Sequence, residues 1–479
     1  MTSRCFLAVL LAAVPLMAQE TPTEREAARQ VLEKMAALEK SLDVPAFVRT
    51  LTAPSAERDR VTARVKELWD QDLQALSDDI TRHPEIGFVE KRSVEKLTAY
   101  LKAHGFEVKM GGTGPASSLD TAFIATYKGA PGGPGLGVIL EYDALRGTQR
   151  AFHGDQHSSQ GPVGIAAAVA IAEYLARSKQ PGNVIVIGTP GEEMMPPNAK
   201  TLMHQAGMFA GADILVRSHS SPATRRPAPG FGTCCMNIDG VKYIFSGAPS
   251  HQLQAWDGRN ALEAVIHLFE NIDSVRSNIR PEARIQGVIT EGGAAPNVVP
   301  DRAVADFYIR YPDEVYLKQI REFTDNAARA AALSTGTKVK IDNYGQDRDG
   351  ISVATLDEVG FAYMKMFGAG KVVPEPAKPQ GYEETGSVSR DIPGAEFSSY
   401  SSNFPNHTYG MEADALIDVG HHGFLVDAQA MAAVLFDFAT HPDYRAAVKR
   451  EFTGIKELFG EYQEALRKTY RVPEVPEPK

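Results

Sequence analysis

The densest run of chemically competent side chains in this sequence is His153-Gly154-Asp155-Gln156-His157. In an extended segment, alternate residues point to the same side. Imidazole nitrogen and carboxylate oxygen together make a donor set suited to zinc or manganese. Alone, the triplet reads better as a solvated polar loop. A second piece follows the apolar run Val184–Gly188, where Thr189-Pro190-Gly191 leads into Glu192-Glu193. Adjacent carboxylates repel and need a cation or a proton to be held together. They also point apart, so one can bind a metal while the other faces the water that the metal activates. Ile214–Arg217 runs through Ser218 to His219, and Asn406-His407-Thr408 follows a turn at Pro405. Asp155, His157, Glu193, His219 and His407 are thus five candidate metal ligands, with Glu192 left over as a general base. His153 is either a third ligand of the triplet or lies just outside the ring of donors. His421 and His422 rival His407; they precede a closing helix expected over 426–438, where capping or packing competes with function. His83, His104, His204, His267 and His441 have no comparable setting.

Ligands this far apart need a scaffold that brings strand ends together. Strands are expected at Thr121–Tyr127, Gly137–Tyr142, Asn183–Gly188 and Ala212–Arg217, with a small-residue helix at Gly161–Arg177. Short apolar strands alternating with helices indicate an α/β fold with a mostly parallel sheet covered on both faces. Such sheets bind ligands at the carboxyl ends of their strands. Residues 238–343 have a different order: strand, helix, strand, strand, helix, strand, the pattern of a ferredoxin-like unit. The expected organisation is a leader over 1–18, a helical extension over 19–80, a catalytic domain over 81–237 and 344–470, an inserted lid over 238–343, and a tail over 471–479.

The chain has 479 residues with net charge −10, and no basic stripe that would suit nucleic acid. Arg4 followed by the apolar run Phe6–Met17 and small Ala18 has the form of a signal peptide, so export to a periplasm or outside the cell is expected, with cleavage near Ala18. No later run approaches the ~20 apolar residues that span a bilayer. With Cys5 in the leader, Cys234 and Cys235 remain; as neighbours they read as two buried thiols rather than a strained disulfide.

Several segments together resemble peptidase family M20, the aminoacylase/carboxypeptidase/dipeptidase group. They are His83-Pro84-Glu85-Ile86-Gly87-Phe88 with Glu90; Glu141-Tyr142-Asp143-Ala144-Leu145; Gly191-Glu192-Glu193; Ser250-His251 with Asp257–Leu262; and Glu291–Asp301 running on to Arg310. The nearest likeness is to the amidohydrolase branch, which contains aminobenzoyl-glutamate hydrolases and β-alanyl-lysine-type dipeptidases. The resemblance implies two divalent ions per subunit, zinc first, with manganese, cobalt or nickel as alternatives. It also implies a homodimer formed through the lid, oxyanion stabilisation by His251, and substrate carboxylate binding by Asn297 and Arg310. One departure is that the branch carries Cys, within Gly-His-x-Cys-Gly-His-Asn, where this chain has Asp155; Gln156 and Ser158 also differ from that run.

The resulting expectation is a dinuclear metal-dependent hydrolase of a dipeptide or an N-acyl amino acid. The alternative is a non-catalytic metal- or peptide-binding paralogue that kept the fold. A serine hydrolase is disfavoured, since no strand leads into a Gly-x-Ser-x-Gly elbow.

Overall fold

A computed structural model describes residues 22–111, 119–194, 199–225, 230–232, 236–374 and 383–471. The leader, Cys234, Cys235 and the tail Pro473–Lys479 lie outside the described residues. In chain order the strands are β1 (Glu107–Met110), β2 (Phe123–Lys128), β3 (Ala130–Leu140), β4 (Pro181–Gly188), β5 (Ile214–Ser218), β6 (Gly230–Gly232), β7 (Asn237–Ser246), β8 (Arg284–Glu291), β9 (Arg302–Tyr311), β10 (Lys338–Asp347), β11 (Gly350–Ser352) and β12 (Gly394–Phe397).

The larger sheet is ordered β1-β2-β4-β3-β5-β12. β4, β3, β5 and β12 run parallel, and β1 and β2 add an antiparallel edge. Successive side chains of the parallel strands feed two different cores, as a period of two requires. Leu136, Val138, Val184, Val186, Ile214 and Val216 join the principal core with the helices His157–Ser178 and Asp418–Thr440. Ile139, Ile185, Ile187 and Leu215 meet Met203 and Phe209 on the other face. Burial on both faces explains why these strands read as unbroken apolar runs.

The amino-terminal helices are more than an attachment. Ala56–Leu68 continues through a π-helical turn into Gln74–Arg82, and Val61, Val65, Leu68, Trp69, Leu73 and Ile80 are part of the principal core. The closing helix begins at Asp418 rather than at Val426, so His421 and His422 lie within it and not at its entrance. Contrary to the expectation that no run after the leader reaches that length, it is long and apolar enough to cross a membrane, but its residues are mostly buried among the other elements, as in a core helix.

Strands β7 to β10 form an antiparallel sheet ordered β10-β7-β9-β8, with Ala261–Val275 and Glu314–Thr335 supplying its helices. This is the expected ferredoxin-like arrangement. It has its own core, including Val241, Phe245, Leu268, Phe307 and Ile320. The chain enters at Asn237 and leaves at Asp347, which faces Ile238 in register, so both connections lie at one end of the lid.

A 28-residue helix, Pro442–Thr469, was not anticipated. Phe452, Ile455 and Phe459 pack into the principal core, while Leu466, with Tyr470 just beyond the helix, enters the lid core. Tyr470 Oη donates to Asp313 Oδ2 at 2.8 Å, and Gln319 Nε2 donates to the Tyr470 carbonyl at 2.7 Å. Helix Pro22–Leu42 lies along it, with a Lys34–Glu461 ion pair.

Candidate metal centre

The site is assembled at the carboxyl edge of β3, β4 and β5. Beyond β3, the segment Glu141-Tyr142-Asp143 stays extended, so Tyr142 points away and donates to the Thr121 carbonyl at 2.6 Å. Glu141 and Asp143 therefore face the start of the helix that His157 opens. Asp143 Oδ1 accepts from His157 Nδ1 at 3.0 Å, and its Oδ2 accepts the Glu193 backbone N–H at 2.9 Å. This fixes the His157 ring with Nε2 as the free donor nitrogen, the usual arrangement behind a metal-binding imidazole.

The loop before His157 is tied down at several points. Leu145 and Phe152 exchange two backbone hydrogen bonds of 3.0 Å, and Glu412 accepts the His153 N–H at 3.0 Å while pairing with Arg150. Gln156 has φ 52°, a left-handed conformation that favours glycine, the residue of the related motif. Its side chain offsets the strain: Nε2 donates to the Met411 carbonyl at 2.7 Å and Oε1 accepts from Ser401 Oγ at 2.8 Å. Gly191, at φ 64°, makes the corresponding turn before Glu192; a Cβ there would lie 2.6 Å from the Phe88 ring. Its N–H donates to Glu90 Oε1 at 2.8 Å.

Asp155, His157 and Glu193 each offer a donor atom within one 4.8 Å group, and Glu141, His157 and His219 form a second such group. His219, just past β5, turns its Nδ1 to the Ser220 carbonyl at 3.1 Å. His407 completes the approach from the distant loop: its Nε2 is 3.0 Å from Asp155 Oδ2 and 3.8 Å from Glu193 Oε2. Glu192 lies beside the group, with Oε2 3.9 Å from His157 Nε2. All five ligand candidates and the candidate base thus converge. His153 is buried nearby, outside both donor groups, and burial drives its pKa down to about 4. His421 pairs instead with Asp78 at 2.8 Å and His422 with the Gly368 carbonyl at 3.0 Å.

The electrostatics call for cations. Among the described residues, Glu141, Asp143, Asp155, Glu192, Glu193 and Glu396 are six carboxylates set against Arg217 and Lys200. That leaves an excess of negative charge, which divalent ions would offset. With protein groups alone, protons fill the deficit. Burial pushes Glu193 up to about 8, reinforced by Asp155 and Asp143. The Asp155 hydrogen bond raises His407 to about 9. Burial opposes charge on His157, yet Asp143, Glu141 and Glu193 raise it well above an ordinary histidine. The donor chemistry, the charge excess and the unpartnered, buried His157 Nε2 and Glu141 Oε2 all fit a divalent-metal site.

The lid residues fall into two places. His251 and Asn297 lie beyond the β7 and β9 ends remote from the hinge; His251 is exposed, bridges to Val298, and accepts the Leu253 N–H on Nδ1 at 3.1 Å. Arg310 lies opposite Ile238 and Arg284, at the hinge end. From Arg302 to Arg310 the strand covers about 27 Å. Within one chain, Asn297 and Arg310 therefore lie at opposite ends of the lid sheet.

Sequence reasoning missed Glu141, Asp143, Lys200 and Arg217 as parts of the site. The signal was present in charged residues bordering or interrupting apolar runs: Glu141 directly after β3, and Arg217 inside β5. Arg217 is fully buried and donates to Glu141 Oε1 at 2.6 Å and to Glu396 Oε2 at 2.7 and 3.0 Å.

Residues 236–335 match the M20 peptidase dimerisation domain. The human Xaa-Arg dipeptidase is 29% identical over 402 residues, which cover 79% of this chain and 88% of the relative. A p-aminobenzoyl-glutamate hydrolase polypeptide of Escherichia coli is 31% identical over 304 residues, 60% of this chain and 58% of that polypeptide. Among solved structures, a Bacillus subtilis protein described as a dinuclear metal-binding peptidase from the M20 family superposes with TM-score 0.51 at 17% identity, over 77% of this chain and 98% of the other.

Proposed function

We propose that the chain, whose relatives are M20 peptidases and amidohydrolases, hydrolyses the amide bond of a dipeptide or an N-acyl amino acid with two divalent ions, zinc first among them. The observation that carries this reading is the convergence of Asp155, His157, Glu193, His219 and His407 at one sheet edge, with Glu192 beside them. Asp155, His157, Glu193, His219 and His407 would hold the two ions.

When bound, the two ions polarise the scissile carbonyl and lower the pKa of water toward neutrality. The chain's own residues do the rest. Glu192 accepts the proton of the attacking water and delivers it to the leaving nitrogen. Asp143 keeps His157 in one tautomer and anchors the Glu193 backbone, so the donors keep their spacing. His251 donates to the developing oxyanion, a contribution of roughly 3–4 kcal/mol for a well-placed donor. The chain acts as a homodimer: His251 and Asn297, at the lid's far end, serve the partner's centre, while Arg310 stays near its own. The separation of Asn297 from Arg310 along β9 supports this division. Export through the apolar leader is part of the proposal, and sequencing of the mature protein from its native host should start near Gln19.

The test is hydrolysis of a panel that includes Xaa-Arg dipeptides and aminobenzoyl-glutamate, by wild type and by Glu192→Gln. The amide keeps the shape of the carboxylate but accepts no proton, so turnover should fall ~100-fold or more with metal content unchanged. Near-normal turnover in the variant would remove Glu192 from the reaction.

A further inference from the structure

Glu141 is fully buried, and its two oxygens have different surroundings. Oε1 accepts from Arg217 Nη1 at 2.6 Å and pairs with Lys200 Nζ. Oε2 is buried without a hydrogen-bond partner. It lies 3.7 Å from His157 Nε2, which is also buried and unpartnered because Asp143 holds the other ring nitrogen. That separation is too long for a hydrogen bond. It suits an ion between them: one about 2.1 Å from each atom would see them about 120° apart, within the range of a four- or five-coordinate site. His219 offers a donor within the same 4.8 Å group.

The two donor groups share His157, yet its Nε2 has one lone pair to give. Asp155, Glu193 and His407 can hold one ion without it. The ion that takes His157 and His219 has the buried Glu141 Oε2 in reach, 3.7 Å from His157 Nε2 and in one donor group with both histidines, while Glu192, at 3.9 Å, is left as the general base. We propose that Glu141 is a sixth ligand, binding through Oε2 the ion held by His157 and His219. Arg217 then acts as the positioning residue: it occupies Oε1 and turns Oε2 inward, while Lys200 supplies counter-charge. This rests on the dinuclear reading above.

The rival role for Glu141 is that of a counter-ion to Arg217 and Lys200 alone. Three variants separate the two. Lys200→Met removes a counter-charge and leaves the ligand; Glu141→Gln removes the anionic oxygen; the double variant removes both while keeping the local charge balanced, which protects folding. Each is dialysed against chelator-buffered zinc, the bound metal is counted by mass spectrometry, and the visible spectrum of the cobalt-substituted protein is recorded. Wild type and Lys200→Met should each hold two ions per chain. Glu141→Gln and the double variant should hold one tightly and the other about 100-fold more weakly or more, with an altered cobalt spectrum. Two ions at wild-type affinity and an unchanged cobalt spectrum in the double variant would overturn this assignment alone. A wild-type chain that binds no ion would overturn the dinuclear reading with it.

Discussion

Asp143→Asn probes how the centre is held rather than what it binds. Asp143 is buried and accepts two N–H groups, one on each oxygen: His157 Nδ1–H at 3.0 Å and the Glu193 backbone N–H at 2.9 Å. Asparagine has one oxygen and one NH₂ group. Whichever way the amide turns, its NH₂ faces an N–H donor, so one of the two hydrogen bonds is lost. If the His157 bond is lost, the ring becomes less basic and free to rotate; if the Glu193 bond is lost, the turn bearing a ligand shifts. A hydrogen bond to a charged acceptor is worth about 1.5–3 kcal/mol. That corresponds to about a 10–100-fold loss of affinity, the range seen when partners behind a metal ligand are removed. The assay is zinc competition with a chelator at fixed pH, alongside thermal unfolding of the metal-free protein to separate folding from binding. Zinc affinity within twofold of wild type, in a variant that folds normally, would refute the positioning role of Asp143.

Other outcomes follow from the same geometry. His407→Ala should lose metal and activity together, whereas His421→Ala and His422→Ala, tied to Asp78 and Gly368, should keep both ions by metal analysis. Mixing inactive His251→Ala with inactive Glu192→Gln under conditions of subunit exchange should restore part of the activity, because a mixed dimer has one intact centre; no recovery after demonstrated exchange would refute the contribution in trans. Asp427 accepts from Ser218 Oγ at 2.8 Å and the Ser399 N–H at 3.0 Å, and burial pushes its pKa up to about 8. Against an unfolded value of about 3.9, folding favours its protonated form. That stability is fully present below about pH 4 and is lost as pH rises through about 8. Asp427→Asn, neutral throughout, should therefore gain stability relative to wild type between those limits, as read from denaturation midpoints across pH; a pH-independent difference would contradict the assignment.

Much of this was legible where local pattern and burial agree. The strand expected at Asn183–Gly188 lies within Pro181–Gly188, and the order of elements in 238–343 identified the ferredoxin-like lid. Of the five ligand candidates, Glu193 and His219 stood out because they follow apolar strands, and Asp155, His157 and His407 because polar loops carry them; the fold sets all five at one place. The Glu141–Arg217–Lys200 cluster was hidden because its members are remote in sequence, and only the sheet brings β3 beside β5. Helix Asp418–Thr440 starts earlier than expected, and Gly420 and Gly423 lie inside it where it packs closely: a Cβ on Gly423 would lie 2.5 Å from the Tyr400 carbonyl oxygen. Helix Pro442–Thr469 carries its apolar positions, Tyr444, Val448, Phe452, Ile455 and Phe459, at helical spacing, but nothing local shows that it links two cores.

That long helix also bears on how the lid can move. Two strands entering side by side at Asn237 and Asp347 form a single line about which the lid could swing like a door. The helix, about 42 Å long, adds a third anchor, where Leu466 and Tyr470 enter the lid core and Tyr470 holds Asp313. With three points fixed, the swing is arrested unless the rod bends or its tip is pulled free. The angle at which His251 faces outward is therefore set partly by the length of a helix at the far end of the chain. Deleting a single residue between Phe459 and Leu466 would turn Leu466 by about 100°, out of the lid core, and release the door without altering the centre itself.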